Sequence, residues 1–204
     1  MIPKHFVVNN FLDEIEQETL LTVGNFETYT SSKGNVINYY QPKGIDSVFE
    51  KIKEQLGPCS IRDYYVYKIE NAYRIHNDSG KNKKSFYTVI IPINVSGGLF
   101  ILNQYSEETF LIDDYLSLEG QKNILLNTEL RQEKIVNYDS NLRLADIPQL
   151  SHIRNVDKIG FSIDAYIEFK YNCAIFFESK YYHCSENIKE FDNKQSLVIF
   201  LDRA

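Results

Sequence analysis

Tyr73-Arg74-Ile75-His76-Asn77-Asp78 is the stretch from which the rest of the sequence can be interpreted. If these residues form a β-strand, His76 and Asp78 point to one face and Asn77 to the other, because side chains alternate along a strand. A neutral imidazole and a carboxylate on one face are two-thirds of the two-His-one-carboxylate triad, which holds ferrous iron and leaves coordination positions open. The pair alone does not establish a site, because a chain with four His and 28 acidic residues can contain one His-x-Asp by chance.

Length and composition indicate one globular domain, residues 1–204, with a sizeable core. The chain is 43% hydrophobic and 25% charged, and its 15 Tyr and 13 Phe favour strands over helical bundles. The net charge is −6, and the densest basic cluster is only Lys81–Lys84. We therefore expect neither a nucleic-acid partner nor a membrane partner.

The cysteines and the N-terminus indicate the compartment. Cys59, Cys173 and Cys184 are odd in number and show no CxxC spacing, so neither structural zinc nor a disulfide framework is expected. The first residues lack the apolar region of a signal peptide, and no apolar run approaches membrane-spanning length. The expected location is the reducing cytoplasm.

Two helices are predicted in the first 60 residues, which we interpret as a helical support for the remainder. A short strand at His5–Asn9 leads to a helix capped by Asn9 or Asn10 and ended by Gly24-Asn25. Its predicted apolar positions are Phe11, Leu12, Ile15, Leu20 and Val23. After exposed β structure from Thr28 to Tyr40, Gly44-Ile45-Asp46 begins a second helix that Gly57-Pro58 ends.

The rest of the chain is predicted to consist mainly of β-strands. Strands are predicted at Asp63–Ile69, Tyr73–Asp78, Phe86–Asn94, Leu99–Leu102, Ala165–Phe169, Asn172–Phe177 and Gln195–Leu201. Between them, residues 105–160 are mixed, partly acidic and weakly periodic, and we interpret them as a cover rather than a second domain. The fold class is therefore mainly β with N-terminal helices (α+β), as a barrel or sandwich.

His183 is the best candidate for a third ligand. It follows a strongly apolar strand near the end of the chain, where pairing of antiparallel strands can bring distant residues together. His5 at the terminus and His152 in the irregular segment are weaker candidates. Further along, Lys194 and Ser196 share one face of a predicted strand and offer an ammonium and a hydroxyl to one carboxylate, although a solvated lysine is the alternative.

Together these residues resemble the iron(II)/2-oxoglutarate-dependent dioxygenases, and among them the prolyl-hydroxylase-like group. Tyr73-x-x-His76-x-Asp78 is similar to the group's Tyr-x-x-His-x-Asp motif. The run from Thr88 to Asn94 with Gly97-Gly98 resembles its next apolar strand and turn. The run Asn172–Phe177, followed by His183 and Lys194-x-Ser196, resembles the group's C-terminal block.

The resemblance implies a double-stranded β-helix core (jelly-roll or cupin-like) formed by residues 61–103 and 164–204. It implies that His76, Asp78 and His183 bind Fe(II) and that the co-substrates are 2-oxoglutarate and O₂. Lys194 would bind the distal carboxylate of 2-oxoglutarate with help from Ser196, and Tyr73 and Thr88 would line the pocket. The insert, residues 104–163, would be a lid or substrate platform.

The implied reaction is hydroxylation of a protein side chain or a small molecule, with succinate and CO₂ as co-products. Asp78 favours hydroxylation, because related halogenases have a small residue at that position. The sequence departs from the group in three places. Lys194 lies slightly further beyond His183 than the group's basic residue usually lies beyond its distal His. Pro92 stands where an aromatic is common, and Leu99 where a Glu is common. These departures concern the 2-oxoglutarate pocket more than the metal site.

Two alternatives stay open at this point. One is a non-catalytic β-helix module with a vestigial metal site, and the other is a cupin-like metalloprotein that uses no 2-oxoglutarate. A nucleic-acid demethylase is disfavoured, because the chain lacks the paired C-terminal arginines of that branch. Because no helix follows the last predicted strand, the expected state is a monomer.

Overall fold

The structure is a computed structural model that describes residues 2–22, 24–30, 36–69, 72, 75–78, 85–94, 97–105, 147–153, 158, 161–187 and 194–204. These residues form ten strands, two α-helices and a short 3-10 helix at Pro148–Leu150. The helices are α1 (Glu14–Leu21) and α2 (Asp46–Leu56). The strands are β1 (His5–Asn9), β2 (Glu27–Thr30), β3 (Val36–Tyr40), β4 (Cys59–Ile69), β5 (Ser85–Pro92), β6 (Gly98–Tyr105), β7 (Ile163–Glu168), β8 (Cys173–Glu178), β9 (Tyr181–Ser185) and β10 (Lys194–Arg203).

The strands form two antiparallel sheets. The major sheet has the order β1-β8-β5-β10-β4-β3-β2, and the minor sheet has the order β7-β6-β9. Successive strands often lie in different sheets: β5 is in the major sheet and β6 in the minor, as are β8 and β9. The chain therefore passes back and forth between two facing sheets, which is the jelly-roll arrangement that the resemblance implied.

The register shows which face of the major sheet is turned toward the minor sheet. Residues directly opposite each other in paired strands share a face. Thr88 pairs with Phe177 and with Phe200, so these three side chains lie on one side, which we call the inner face. The inner core between the sheets includes Ile90, Ile175 and Phe177 of the major sheet and Leu99, Ile101 and Phe169 from the minor-sheet side.

The helices cover the opposite, outer face of the major sheet. Their buried residues pack in one cluster with Val66, Val89, Ile91, Phe176, Leu197 and Ile199. Helix α2 buries Val48, Ile52 and Leu56 at helical spacing, and it ends at Gly57 with a φ of +78°, a left-handed conformation that favours glycine. The predicted start and end of this helix are confirmed.

The predicted start of the first helix is wrong. Asp13, not Asn9 or Asn10, is the N-cap: its side chain accepts from the Glu16 amide at 2.9 Å, and the Glu16 carboxylate accepts from the Asp13 amide at 2.9 Å. This reciprocal capping box satisfies two amides that the helix itself leaves unpaired. Ile15 consequently lies on the outside, 76% exposed, rather than in the core.

Gly97-Gly98 is a turn that the packing requires to be small. Gly97 has a φ of +70°, and a Cβ atom at Gly98 would lie 2.6 Å from the Tyr166 ring. The Tyr166 hydroxyl donates to Glu186 at 2.6 Å, so the ring is held over this turn. The Gly-Gly pair therefore lets the chain enter β6 directly beneath a fixed aromatic ring.

Two further expectations can be compared with the described residues. Cys59, Cys173 and Cys184 are all buried free thiols, which agrees with the expected absence of a disulfide framework. Neither described helix is both long and apolar enough to cross a membrane. Most of the 104–163 insert lies outside the described residues, as does Tyr73.

Candidate metal centre

The structure brings His76, Asp78 and His183 together. One nitrogen from each imidazole and one Asp78 oxygen all lie within 4.8 Å of one another, close enough for one metal ion to contact all three. His76 Nε2 lies 3.8 Å from Asp78 Oδ1, and His183 Nε2 lies 3.5 Å from Asp78 Oδ2. Within the described ranges, this is the one such group of His, Cys, Asp and Glu side chains.

The predicted strand at Tyr73–Asp78 is wrong for its described part. In residues 75–78 only His76 has β pairing, an isolated antiparallel bridge to His183. The His76 amide donates to the His183 carbonyl at 3.0 Å, and the His183 amide donates to the His76 carbonyl at 2.8 Å. This two-way bridge aligns the two imidazoles, and the alternation still places Asn77 away from them.

His183 is held in one orientation and one tautomer. It lies in β9, paired with Ile101 of β6, and is 3% exposed. Its Nδ1 is 3.1 Å from the Tyr181 carbonyl, which can only accept, so Nδ1 carries the proton and Nε2 presents a lone pair toward Asp78. Burial, and then the charge of His76, lower the pKa of His183 to about 4. The imidazole is therefore neutral at pH 7, as a metal ligand requires.

Asp78 is positioned by two hydrogen bonds, one to Ser179 and one from Thr88. Its amide donates to the Ser179 carbonyl at 2.9 Å, and the Thr88 hydroxyl donates to Asp78 Oδ2 at 2.8 Å. Thr88 and Ser179 are both fully buried, and their hydroxyl oxygens are 3.0 Å apart. Thr88, predicted as a pocket residue, therefore contacts the carboxylate that would bind the metal.

Removing the Thr88 hydroxyl should weaken metal binding without changing the packing. Thr88→Val keeps the β-branched shape but loses the donor, and we expect a metal affinity about 10–100-fold lower, the usual cost of losing an outer-shell partner. Thr88→Ser should bind close to wild type. The measurement is titration with Co(II), followed by its visible absorption.

The control for this series is Thr28→Val, which removes an exposed hydroxyl that donates to Asn38 in the β2–β3 ladder. Thermal unfolding of each variant checks that the fold is retained. Equal Co(II) affinity for Thr88→Val and wild type would show that the hydroxyl does not orient Asp78.

Lys194 and Ser196 lie on the inner face of β10, and both are buried: Lys194 is 5% exposed and Ser196 is 2% exposed. Ser196 Oγ has no hydrogen-bond partner among the described residues. Within the same residues Lys194 Nζ has no hydrogen bond or ion pair, and it lies 4.1 Å from the centroid of the Phe169 ring. Burial lowers the pKa of Lys194 to about 7.

Buried polar groups in proteins are almost always paired, so these two require an explanation. Lys194 is close enough to the metal centre for its charge to lower the pKa of His183. Pro92 pairs directly with Ser196 and adds no polar group there. An ammonium and a hydroxyl without partners, beside a His-Asp-His group, together fit an anionic ligand that reaches from the metal to Lys194.

The weaker histidine candidates do not join the cluster. His5 lies on the edge strand β1 with Nε2 2.9 Å from Asp164, and His152 lies in the turn after the 3-10 helix. Sequence reasoning missed Ser179 and Phe169, which contact Thr88 and Lys194. Ser179 lies in the polar turn between β8 and β9; that pattern indicates a turn but not its contacts.

Comparison of the whole structure with solved structures identifies the fold. An oxidoreductase of the 2OG-Fe(II) oxygenase family from Burkholderia pseudomallei matches with a TM-score of 0.54 and 11% identity, over 98% of this chain and 86% of that one. The chain has the fold of the 2OG-Fe(II) oxygenases. Its core is therefore the double-stranded β-helix that the resemblance implied, and this prediction is confirmed.

Two other solved structures share this fold. The epimerase SnoN, in complex with Fe³⁺, α-ketoglutarate and nogalamycin RO, matches with a TM-score of 0.55 and 12% identity, over 100% of this chain and 80% of that one. A prolyl hydroxylase from Trichoplax adhaerens, in complex with a hypoxia inducible factor peptide fragment, matches with a TM-score of 0.50 and 11% identity, over 98% and 83%. No protein-family model and no curated protein sequence matches this chain.

Proposed function

We propose that the protein is an Fe(II)- and 2-oxoglutarate-dependent oxygenase that hydroxylates a C–H bond. The observation that carries the proposal is that the His76-Asp78-His183 group lies on the same side of the major sheet as Lys194, which is 5% exposed, and Ser196, whose buried Oγ has no hydrogen-bond partner among the described residues. A metal alone would leave the buried Lys194 and Ser196 unexplained. A dicarboxylate co-substrate accounts for both.

The donor set fits ferrous iron. One carboxylate and two neutral imidazoles on one side leave the other positions of an octahedral ion open. When bound, the iron would supply the redox chemistry by which O₂ oxidises 2-oxoglutarate to succinate and CO₂ and hydroxylates the substrate. Asp78 occupies one of the three protein positions, which favours hydroxylation over halogenation.

The chain's own residues have distinct parts in this proposal. His183 keeps its proton on Nδ1 and presents Nε2 to the metal, while Thr88 holds the Asp78 carboxylate by its Oδ2 oxygen. Lys194 and Ser196 would bind the distal carboxylate of the co-substrate. The inner-core rings of Phe169 and Phe177 keep water from the ammonium and from His183, whose ring is 4.6 Å from that of Phe177.

The substrate is proposed only as a class, either a peptide side chain or a small molecule. Solved structures of the same fold hold one of each, a peptide fragment in the Trichoplax adhaerens enzyme and nogalamycin RO in SnoN. The alternative of a cupin-like protein without 2-oxoglutarate is less well supported, because it gives Lys194 and Ser196 no partner. We also propose a cytoplasmic monomer, in which the insert at 104–163 serves as a lid or substrate platform.

Anaerobic titration with Fe(II) and then 2-oxoglutarate tests the proposal. We expect a weak visible absorption band only after the second addition, because it arises when the keto acid chelates the metal. Admitting O₂ should then release succinate in the amount of 2-oxoglutarate consumed. Iron binding without the band would favour the cupin-like alternative, and no iron binding would favour a non-catalytic module.

A further inference from the structure

Three tyrosines continue the inner face of the major sheet beyond Lys194 and Ser196. Tyr67 of β4 pairs with Ser196 on one side and with Tyr39 of β3 on the other, and Tyr65 pairs with Val198. Directly paired residues share a face, so Tyr39, Tyr65 and Tyr67 are on the same side as Lys194. We call these three residues the tyrosine face. It shares this face with Lys194 and Ser196, and Tyr39 and Tyr65 also line a groove with Thr19 of α1.

The rings of the tyrosine face form a corner. The Tyr39 and Tyr65 centroids are 5.5 Å apart with their planes at 89°, and the Tyr65 and Tyr67 centroids are 5.8 Å apart with their planes at 47°. All three residues are half-buried. A methylated or protonated nitrogen placed against such rings is attracted to their negative faces, and more strongly when it is desolvated.

The charges around this corner are mainly negative. The Tyr39 hydroxyl donates to Glu27 at 3.0 Å, and Asp63, which pairs with Phe200, lies on the same face as Tyr65. Among the described residues, Glu27 has no cation within ion-pair distance. Arg62 approaches Asp63 at 3.9 Å but binds Asp202 more closely, at 3.0 Å.

Other cations of the described structure do not neutralise Glu27. Lys68 pairs with Gln195 and Asn38, so its side chain points to the outer face. Lys43 lines the same groove as Glu27, Tyr39 and Tyr65, a groove of about 890 Å³, but it forms no ion pair with a described residue. An anionic, aromatic surface of this kind complements an organic cation.

We propose that the tyrosine face binds an organic ammonium group of the substrate. As a statement about the substrate it rests on the proposed function, since the tyrosine face shares the inner face of the major sheet with Lys194 and Ser196. Ammonium binding itself needs neither iron nor 2-oxoglutarate. A neutral ring or an anion on the same surface is the competing outcome.

Choline and its neutral isostere 3,3-dimethylbutan-1-ol separate charge from shape. The protein with ¹³C-labelled tyrosine is titrated with each probe and followed by NMR, in the absence of metal. We expect choline to shift tyrosine signals and to bind at least about 5-fold more tightly than the isostere, which corresponds to about 1 kcal/mol. Tyr65→Leu should abolish the difference. Glu27→Gln, which keeps the shape, should weaken choline by about 3-fold or more.

The matched control is Tyr171→Leu, which removes a tyrosine that is 60% exposed and outside this surface; it should leave choline binding unchanged. Equal affinity for the two probes, no binding of either, or unaltered choline affinity in both Tyr65→Leu and Glu27→Gln overturns the proposal. Failure of the ammonium-binding proposal is distinguishable from failure of the oxygenase assignment, because iron and 2-oxoglutarate binding are measured separately.

Discussion

Asp78→Ala and His183→Ala are each expected to lose 2-oxoglutarate-dependent succinate formation, to below about 1% of wild type. Loss of an outer-shell partner alone costs about 10–100-fold in metal affinity or activity, so removal of a ligand should cost more. His183→Ala has a second effect, because it opens space beside Phe177 in the inner core. Succinate release and Fe(II) affinity are measured for both variants.

The control is His5→Ala, which removes an imidazole from the edge strand, where it contacts Asp164 rather than the cluster. It should retain full turnover and full iron affinity. Circular dichroism confirms that all three variants are folded, so that lost activity is not lost structure. Undiminished turnover in either Asp78→Ala or His183→Ala would exclude this cluster as the catalytic metal site.

The spacing of His76 and Asp78 was informative even though the secondary structure assigned to it was not. The sequence predicted a strand, whereas the described residues show only a one-residue bridge to His183. Alternation still applies, because the bridge fixes His76 in an extended backbone. Two residues later, the Asp78 amide is held by its hydrogen bond to the Ser179 carbonyl. A period of two can therefore be correct where a continuous ladder is absent.

His183 illustrates a different limit of sequence reasoning. It was placed just beyond a strand, but it lies within β9, whose residues are nearly all buried. The strand is short, and His, Cys and Ser follow its two tyrosines, so neither alternation nor β-propensity identifies it. Its burial comes from packing between two sheets, which depends on strands far away in the sequence.

Contacts of individual side chains were the least predictable part of the site. The pattern Thr88-Val89-Ile90-Ile91 identifies a buried strand, but not that the Thr88 hydroxyl lies 2.8 Å from Asp78. The same holds for α1, where Asn9, Asn10 and Asp13 are all acceptable caps by residue type. Asp13 is selected because Glu16 three residues later completes a capping box and ion-pairs with Lys51 of α2.

Lys194→Met is expected to weaken the binding of 2-oxoglutarate without weakening the binding of the metal. The variant keeps the length of an apolar side chain over Phe169 but removes the ammonium, so we expect Fe(II) affinity close to wild type. The Kd for 2-oxoglutarate should rise about 30-fold or more, because loss of one partner from a buried charge pair costs 2–5 kcal/mol. The same anaerobic titration measures both constants.

Lys180→Met is the matched control, because Lys180 is a half-buried lysine that pairs with Glu178 at 2.9 Å. It should leave both affinities unchanged. If Lys194→Met binds 2-oxoglutarate as tightly as wild type, another cation anchors the co-substrate or none is needed, and the buried ammonium requires a different explanation.

The protonation of Lys194 gives an independent, pH-dependent result. Burial lowers its pKa to about 7 from 10.5, so without a ligand the amine is mostly neutral at pH 8, and a bound carboxylate should return it to the charged form. Binding of 2-oxoglutarate at pH 8 should therefore take up close to one proton, seen by calorimetry in two buffers of different ionisation enthalpy.

The same pKa difference fixes the direction of the stability change in the ligand-free protein. Between pH 7 and about 10 the unfolded chain holds a proton on Lys194 that the folded chain does not, so the free energy of unfolding should rise with pH in this window. The rise is at most about 1.4 kcal/mol per pH unit, and Lys194→Met should lack this contribution. Denaturant unfolding at pH 7 and pH 9 measures it. Identical pH dependence of wild type and Lys194→Met would mean that Lys194 remains protonated when buried, and the proton uptake on 2-oxoglutarate binding should then be absent as well.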